Sequence, residues 1–144
     1  MKLSKKCQYA LKAVFELAWR DQKEPIKTYE IAKAQHLSPR FMEIILNELK
    51  HGGFVESRRG NEGGYILVKD ARDLSVREVI EYTEGPISLV QNIDDTASIG
   101  NEAFIQFWQE VNNSFCEVCE NKTFSDLVDF ERSKRNKCAL TYNI

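Results

Sequence analysis

The chain has 144 residues, 42% of them hydrophobic and 29% charged, which is the composition of an ordinary globular protein of about one domain. No apolar run is long enough to span a bilayer, and the first residues do not resemble a secretory signal. We therefore expect a cytoplasmic protein with no membrane contact, whose four cysteines are free thiols rather than a disulfide framework.

The net charge of −2 conceals two halves of opposite sign. Residues 1–72 contain fourteen Lys and Arg against nine Asp and Glu, whereas residues 73–144 contain six against thirteen. This asymmetry is typical of a chain with one half that binds a polyanion and a second half with another task. It favours nucleic acid as the partner of the first half.

Two short helices are predicted first. Residues 4–19 place apolar side chains at about the helical period, which indicates an amphipathic helix packed on a core. Residues 29–35 form a second, shorter helix, for which Thr28 is a suitable N-cap and whose Ile31 and Ala32 point inward.

A third helix is predicted to begin with Ser38 and Pro39 and to run to about His51. Serine is a favoured N-cap, and proline at the first helical position loses no hydrogen bond. Gly52 and Gly53 end the helix in the left-handed conformation that helix C-termini favour. About three residues separate the second helix from the third, which is typical of a DNA-reading helix-turn-helix.

A glycine-rich hairpin follows, with two arginines beside its turn. Two β-like runs, residues 54–57 and 65–68, flank a turn with three glycines, which permit a tight reversal and close backbone approach. The guanidinium groups of Arg58 and Arg59 suit phosphate or base edges. A basic hairpin after three short helices predicts a winged helix-turn-helix.

The DNA-binding residues are predicted from the third helix and the hairpin. The helix would reach base edges in the major groove, and the wing would enter the adjacent minor groove or hold the backbone. Glu43 can accept a hydrogen bond from a cytosine amino group, and Ser38 with Arg40 can hold a phosphate at the helix N-terminus. The predicted set is Ser38, Pro39, Arg40, Phe41, Glu43 and Ile44 in the helix, and Arg58, Arg59, Gly60 and Asn61 in the wing.

A fourth helix is predicted from Ser75 to about Thr83, because Ser75 and Glu78 match the capping box, and Gly85 with Pro86 ends it. Residues 87–100 show no periodicity and are predicted to form a loop. The predicted organisation is a winged helix-turn-helix domain at 1–85, a loop at 86–100, and a long helix with a C-terminal helix and tail at 101–144.

A long helix is predicted at 101–120. Its apolar residues are spaced alternately by four and three, as in helices that pack along a seam on another helix. The spacing therefore predicts a seam on another helix, formed by Phe104, Trp108, Val111, Phe115 and Val118. A last short helix, 124–135 with Thr123 as its cap, is expected to fray in the basic segment 134–137.

Several motifs occur in order over nearly the whole chain: Met1-Lys2-Leu3-Ser4 with Tyr9-Ala10, Leu37-Ser38 with Phe41 and Glu43, Val55 with Ser57-Arg58-Arg59-Gly60 and Gly63-Gly64-Tyr65, Val79-Ile80 with Glu84-Gly85-Pro86, and Trp108 with Thr123-Phe124-Ser125-Asp126-Leu127. They resemble the Rrf2 family of bacterial transcriptional regulators. The resemblance implies a homodimer whose long helices cross along the predicted seam and place two winged domains on a palindromic DNA site. It makes 86–100 a sensor-type loop and 101–144 a dimerisation helix with a C-terminal helix and tail. The family's DNA-reading positions correspond to Ser38, Arg40, Phe41, Glu43, Arg59 and Gly60. Ile44 stands where several members have glutamine, which removes one possible base contact.

The resemblance also introduces an iron–sulfur cluster, which many Rrf2 members hold through three cysteines in the loop before the long helix. Residues 86–101 contain no cysteine here, and Asp94, Thr96 and Glu102 occupy the corresponding region. We therefore expect no cluster held by this loop. A cluster held by non-standard ligands is kept as an alternative.

The cysteines elsewhere leave two interpretations open. Cys116 and Cys119 form a Cys-x-x-Cys on the long helix, a spacing that can place both sulfurs on one face for redox or metal chemistry. Cysteine in a helix is also commonly a small buried hydrophobe. Cys7 lies near a helix N-terminus beside Lys5 and Lys6, which could lower its pKa, or it could simply pack.

No sequence motif of an enzyme is present: the chain has no P-loop, dinucleotide-binding glycine motif, nucleophile elbow or His-Glu metal helix. The prediction is a mainly α-helical, homodimeric winged helix-turn-helix regulator that binds double-stranded DNA at a palindromic operator. The alternatives are a sensor that uses iron–sulfur, metal or thiol-redox chemistry at Cys116 and Cys119, and a winged-helix module that docks a protein.

Overall fold

A computed structural model describes residues 2–20, 23–89 and 98–142. Over these ranges the chain forms six α-helices and a two-stranded antiparallel hairpin: α1 (Lys5–Trp19), α2 (Thr28–Ala34), α3 (Pro39–His51), β1 (Val55–Arg58), β2 (Gly64–Leu67), α4 (Val76–Glu84), α5 (Asn101–Asn121) and α6 (Phe124–Tyr142). This confirms the predicted mainly helical chain with a small β-hairpin. Of the predicted loop 86–100, residues 90–97 lie outside the described ranges. None of the described helices is long and apolar enough to cross a membrane.

The core is built around α1, which packs against α2, α3, α4, α6 and β2. Ser4 caps α1, its Oγ accepting a hydrogen bond from the Cys7 N–H at 3.0 Å. Alanines on the buried face of α1 let neighbouring helices come close, and larger side chains from the other elements fill the space between them. The fully buried core includes Ala13, Val14, Leu17, Ile31, Met42, Leu46, Leu49, Val55, Leu74, Val79 and Phe124.

The turn between α2 and α3 is a Schellman motif. His36 adopts the left-handed conformation at φ 55°, the Leu37 N–H donates to the Ala32 carbonyl at 2.8 Å, and the His36 N–H donates to the Lys33 carbonyl at 3.2 Å. The helix-turn-helix connection predicted from its length is therefore closed by specific backbone hydrogen bonds. The prediction of Thr28 as N-cap was wrong by one residue, because Lys27 has the extended backbone of the cap and Thr28 is already helical.

The C-terminus of α3 has a second Schellman motif. Gly52 stays right-handed while Gly53 is left-handed at φ 78°, and the Phe54 N–H donates to the Leu49 carbonyl at 3.0 Å. The left-handed ending that we predicted thus falls on Gly53 alone. Gly52 is needed for another reason, because a Cβ there would lie 2.6 Å from the ring of Tyr82.

The wing is the antiparallel hairpin of β1 and β2, in a register that pairs Val55 with Leu67 and Arg58 with Gly64. The predicted strands, 54–57 and 65–68, were each displaced by one residue. The physical reason is that the Phe54 N–H is taken by the end of α3, so the strand begins only at the next residue.

A third extended segment supports the wing through Ile26. The Ile26 N–H donates to the Tyr65 carbonyl at 2.9 Å, and the Tyr65 N–H donates back at 2.8 Å. The approach is so close that a Cβ on Gly64 would lie 2.4 Å from the Ile26 backbone. Gly64 is therefore required by packing against the chain segment before α2.

The capping box predicted for α4 is confirmed. The Ser75 N–H donates to Glu78 Oε2 at 2.8 Å, and the Glu78 N–H donates to Ser75 Oγ at 3.3 Å. Thr123 and Asp126 form the same reciprocal arrangement before α6, at 3.0 Å and 3.1 Å. The hydrogen bond from the Thr123 backbone N–H holds the pKa of Asp126 below its usual range.

The last helix differs from the prediction of a short helix with a frayed end. α6 continues to Tyr142, and the segment 134–137 is helical. An i, i+4 ion pair of 2.9 Å between Glu131 and Arg135 supports the continuation, and Thr141 Oγ1 donates to the Lys137 carbonyl at 2.9 Å. The start of α6 is firmly docked, because Phe124 and Val128 are buried in the same core as α1. The division at residue 85 stays a prediction, although this core draws on both sides of it.

Candidate nucleic-acid interface

The third helix has one buried face and one exposed face. Met42, Ile45, Leu46 and Leu49 are buried, which fixes the rotation of α3 on the core. The opposite face is a stripe of exposed residues at the helical spacing of three and four, with two further exposed residues beside it. The stripe consists of Arg40, Ile44, Asn47 and His51, and the flanking residues are Glu43 and Lys50.

All the residues predicted on this helix are exposed: Ser38, Pro39, Arg40, Phe41, Glu43 and Ile44. Ser38 occupies the N-cap position but its side chain makes no capping hydrogen bond, so its hydroxyl is available to a phosphate. Within the described ranges Arg40 has no ion-pair partner. A free cation and an unused hydroxyl at a helix N-terminus form a suitable phosphate contact.

Asn47 and Lys50 are surface residues of this face that the sequence analysis missed. Both are exposed on α3, and Asn47 follows Arg40 by seven residues, two helical turns on the same side. The i, i+7 spacing from Arg40 is a sufficient signal for Asn47 in the sequence. An amide at this place can pair with adenine, and an ammonium group can contact a phosphate.

The wing carries two arginines with different surroundings. Arg58 is engaged by its own strand, with Nη2 2.7 Å from Glu56 Oε1. Arg59 is exposed and has no carboxylate partner within the described part of the chain. Gly60 and Asn61, next to Arg59, are also exposed. The sequence suggested two equivalent arginines, but the structure leaves Arg59 as the freer cation.

The turn of the wing needs glycine at its start. Gly60 has φ 109°, a conformation that side-chain-bearing residues rarely adopt, and its carbonyl accepts from the Gly63 N–H at 3.0 Å. In this tight turn Arg59 and Asn61 flank Gly60, which has no side chain. The wing can therefore approach a groove or a phosphate closely.

Contacts from two other helices hold the C-terminal end of α3. The Tyr82 hydroxyl donates to the Glu48 carbonyl at 2.8 Å, and the Tyr82 ring lies 5.2 Å from that of Phe54. The Glu48 carboxylate in turn pairs with Lys6 Nζ at 3.0 Å. The recognition helix is thus linked through its last turns to both α1 and α4.

The long helix α5 leaves much of its predicted seam exposed. Phe104, Trp108 and Val118 are exposed, whereas Val111 and Phe115 are only half-buried. Phe115 packs partly within its own chain, against a small cluster that contains Cys7, Ile80 and Cys119. Phe107, which lies beside the predicted seam, is exposed as well and contacts the Trp108 ring edge-on.

Two of the four thiols, those of Cys7 and Cys119, are buried packing groups. Burial raises the pKa of the Cys7 thiol, so the helix dipole and the nearby lysines do not make it a low-pKa thiol, and the packing interpretation holds. Burial, and then the adjacent Cys116, raise the pKa of Cys119. Cys116 is half-buried and Cys138 is exposed on α6.

The cysteines do not assemble a site suited to a cluster. Among the described residues no group of three or more His, Cys, Asp and Glu side chains could hold a metal ion. Cys7 and Cys119 lie in an apolar cluster, Cys138 is exposed on another helix, and residues 86–101 contain no cysteine. An iron–sulfur cluster needs several thiolates that converge, which this donor set does not provide.

A helix-turn-helix followed by a hairpin, each with an arginine that has no ion-pair partner among the described residues, defines a winged helix-turn-helix DNA-binding protein. Comparison with known proteins agrees. The family model Rrf2, described as an iron-dependent transcriptional regulator, matches residues 3–130. The chain belongs to the Rrf2 family.

Individual relatives are similar over most of their length. CymR of Bacillus subtilis, an HTH-type transcriptional regulator, is 31% identical over 130 residues, covering 90% of this chain and 91% of CymR. The solved structure of B. subtilis CymR, described as the global cysteine regulator, has a TM-score of 0.82 at 30% identity, covering 90% of this chain and 98% of that one. T. potens IscR has a TM-score of 0.73 at 30% identity, covering 91% and 88%.

These relatives establish the general function. The chain is a transcriptional regulator of bacterial type that binds DNA, and it is not an enzyme. The alternative of a protein-docking module is therefore set aside. How the chain assembles on DNA and how it recognises its site have to be inferred from its own residues.

Proposed function

We propose that the protein acts as a homodimer on a palindromic operator, with α3 of each subunit in a major groove and each wing in the flanking minor groove. The observation that carries the proposal is the exposed face of α3 together with Arg59. Both present cations that their own chain leaves unpaired within the described ranges. The DNA partner also makes the cytoplasm the expected location.

The dimer is supported by the apolar side of α5. Exposed aromatic and aliphatic side chains repeat along this helix at the spacing of a helix–helix seam, whereas the apolar face of α1 is buried. A second copy of the same helix would supply the matching surface and remove these side chains from water. Two winged domains joined in this way would match two half-sites about one DNA turn apart.

An operator selection tests this assembly. The full chain is used to enrich duplexes from a random library at low salt, and its mass is measured by sedimentation with and without the selected duplex. We expect two inverted half-sites, two chains per duplex, and affinity that falls linearly with salt on a logarithmic scale. Enriched sequences without two-fold symmetry, or one chain per duplex, would contradict the proposal.

We further propose that no iron–sulfur cluster is bound and that Cys116 and Cys119 are not a thiolate-based switch. The support is the donor set and the raised pKa of the buried Cys119 thiol. Anaerobic purification, followed by a visible spectrum and assays for iron and sulfide, should give a colourless protein. Stoichiometric iron and sulfide would overturn this. The Cys116→Ser/Cys119→Ser variant should keep its operator affinity under reducing, oxidising and metal-loaded conditions.

A further inference from the structure

The centre of the DNA-facing side of α3 is apolar. Ile44 is 51% exposed and lies between Arg40 and Asn47 along the stripe. Phe41, one turn earlier, is 58% exposed on the edge of the same face. Single exposed apolar residues are common on protein surfaces, but Ile44 lies between the polar side chains of Arg40 and Asn47 on the helix that the fold presents to DNA.

The chemistry of base pairs offers one good partner for an apolar side chain in the major groove. Only thymine presents a methyl group there, whereas cytosine presents an amino donor that an isoleucine would leave unpaired. Isoleucine is branched at Cβ and in a helix is almost confined to one χ1 rotamer, so little side-chain entropy is lost on contact. Ile44 is thus a rigid apolar surface held between groups that can hydrogen-bond neighbouring bases.

We propose that Ile44 is a specificity-determining residue that packs on the methyl group of a thymine in each half-site. This rests on the proposed function and deepens it, since it names a base that the operator must contain. Arg40 and Asn47 lie on either side and contact the neighbouring positions. Phe41, at the edge of the face, does not make the methyl contact.

A uracil scan of the selected duplex tests the proposal, because uracil is thymine without the methyl group. Each thymine is replaced in turn, symmetrically in both half-sites, and the dissociation constant is measured by fluorescence anisotropy. Loss of one buried methyl is worth about fourfold in affinity, so two equivalent losses should weaken the wild-type dimer by about fifteenfold. We expect this at one position per half-site.

Variants assign the effect to the side chain. In Ile44→Ala the uracil penalty at that position should fall below about twofold, whereas Phe41→Ala should keep it and Ile44→Val should retain part of it. Both substituted residues are exposed, so folding is preserved. If no thymine responds in the wild type, or if Ile44→Ala keeps the full penalty, the proposal is wrong. If no duplex is enriched at low salt, the proposed function itself fails, and this inference fails with it.

Discussion

The winged region and the long helix treat their apolar side chains in opposite ways. In α1–α4 most apolar side chains are buried in the main core or in the small cluster with Cys7 and Ile80, and what is exposed on α3 and the wing is mainly polar apart from Phe41 and Ile44. On α5 a regular apolar stripe is exposed, beside acidic residues. The winged region therefore buries its apolar faces within the described part of the chain, whereas the described residues leave part of the apolar stripe of α5 uncovered.

The sixth helix joins the two regions. Phe124 and Val128 enter the core of the winged region, while the guanidinium groups of Arg132 and Arg135 both lie 5.5 Å from the ring of Trp19 on α1. Such cation–π contacts add to the apolar docking of α6. The two regions thus differ in the apolar surface that they expose, but they share one core.

The largest loss of stability is expected from a substitution in the wing, where the Gly64 backbone packs directly on the Ile26 backbone. In Gly64→Ala the new methyl group would overlap the Ile26 backbone, which cannot retreat without breaking the Ile26–Tyr65 hydrogen bonds. We expect the free energy of unfolding, measured in urea, to fall by about 3 kcal/mol or more. The control is Gly53→Ala, which meets nothing within 4 Å and should cost about 1 kcal/mol for its left-handed backbone. Equal losses would show that the close approach is not limiting.

The next effect concerns self-association and uses two equally exposed phenylalanines. Phe104 on α5 and Phe130 on α6 are each 66% exposed. Phe104→Ser should weaken the dimer by about a hundredfold, because two buried aromatic rings are lost per dimer, one from each chain. Phe130→Ser should leave the association constant unchanged. Sedimentation equilibrium decides between them, and a dimer that survives Phe104→Ser but not Phe130→Ser would place the seam on α6.

A smaller effect distinguishes the two wing arginines. Arg59→Ala should weaken operator binding by about tenfold and reduce the slope of log affinity against log salt by about two, because each subunit of the dimer loses one phosphate contact. Arg58→Ala should cost less, since Glu56 already engages its guanidinium group in the free protein. Anisotropy titrations at several salt concentrations measure both. A larger loss for Arg58→Ala would mean that DNA displaces the Glu56 pair.

The smallest effect is a gain in stability at the helix-turn-helix. His36 has the left-handed conformation that Gly53 adopts at the equivalent place after α3. His36→Gly removes the crowding of Cβ at positive φ and should raise the free energy of unfolding by about 0.5 kcal/mol, part of the gain being lost to glycine's greater freedom when unfolded. Urea titration of the two proteins measures it. A loss of stability would indicate that the imidazole itself contributes.

The sequence by itself was sufficient for the local features. The Ser75–Glu78 capping box, the stop at Gly52 and Gly53, and the spacing between α2 and α3 could all be predicted, because each depends on residues a few positions apart. The exposed residues at the start of α3 could be predicted for the same reason. Caps and turns can therefore be predicted from the residues at neighbouring positions.

Tertiary structure alone decided the features that depend on distant neighbours. Gly52 is required because Tyr82 covers it, and Gly64 because Ile26 passes beside it. The docking of α6 also depends on distant residues, because its Arg132 and Arg135 lie over the ring of Trp19 on α1. These contacts depend on how the helices and strands pack against one another. The spacing of residues along the chain does not predict which distant residues will be in contact.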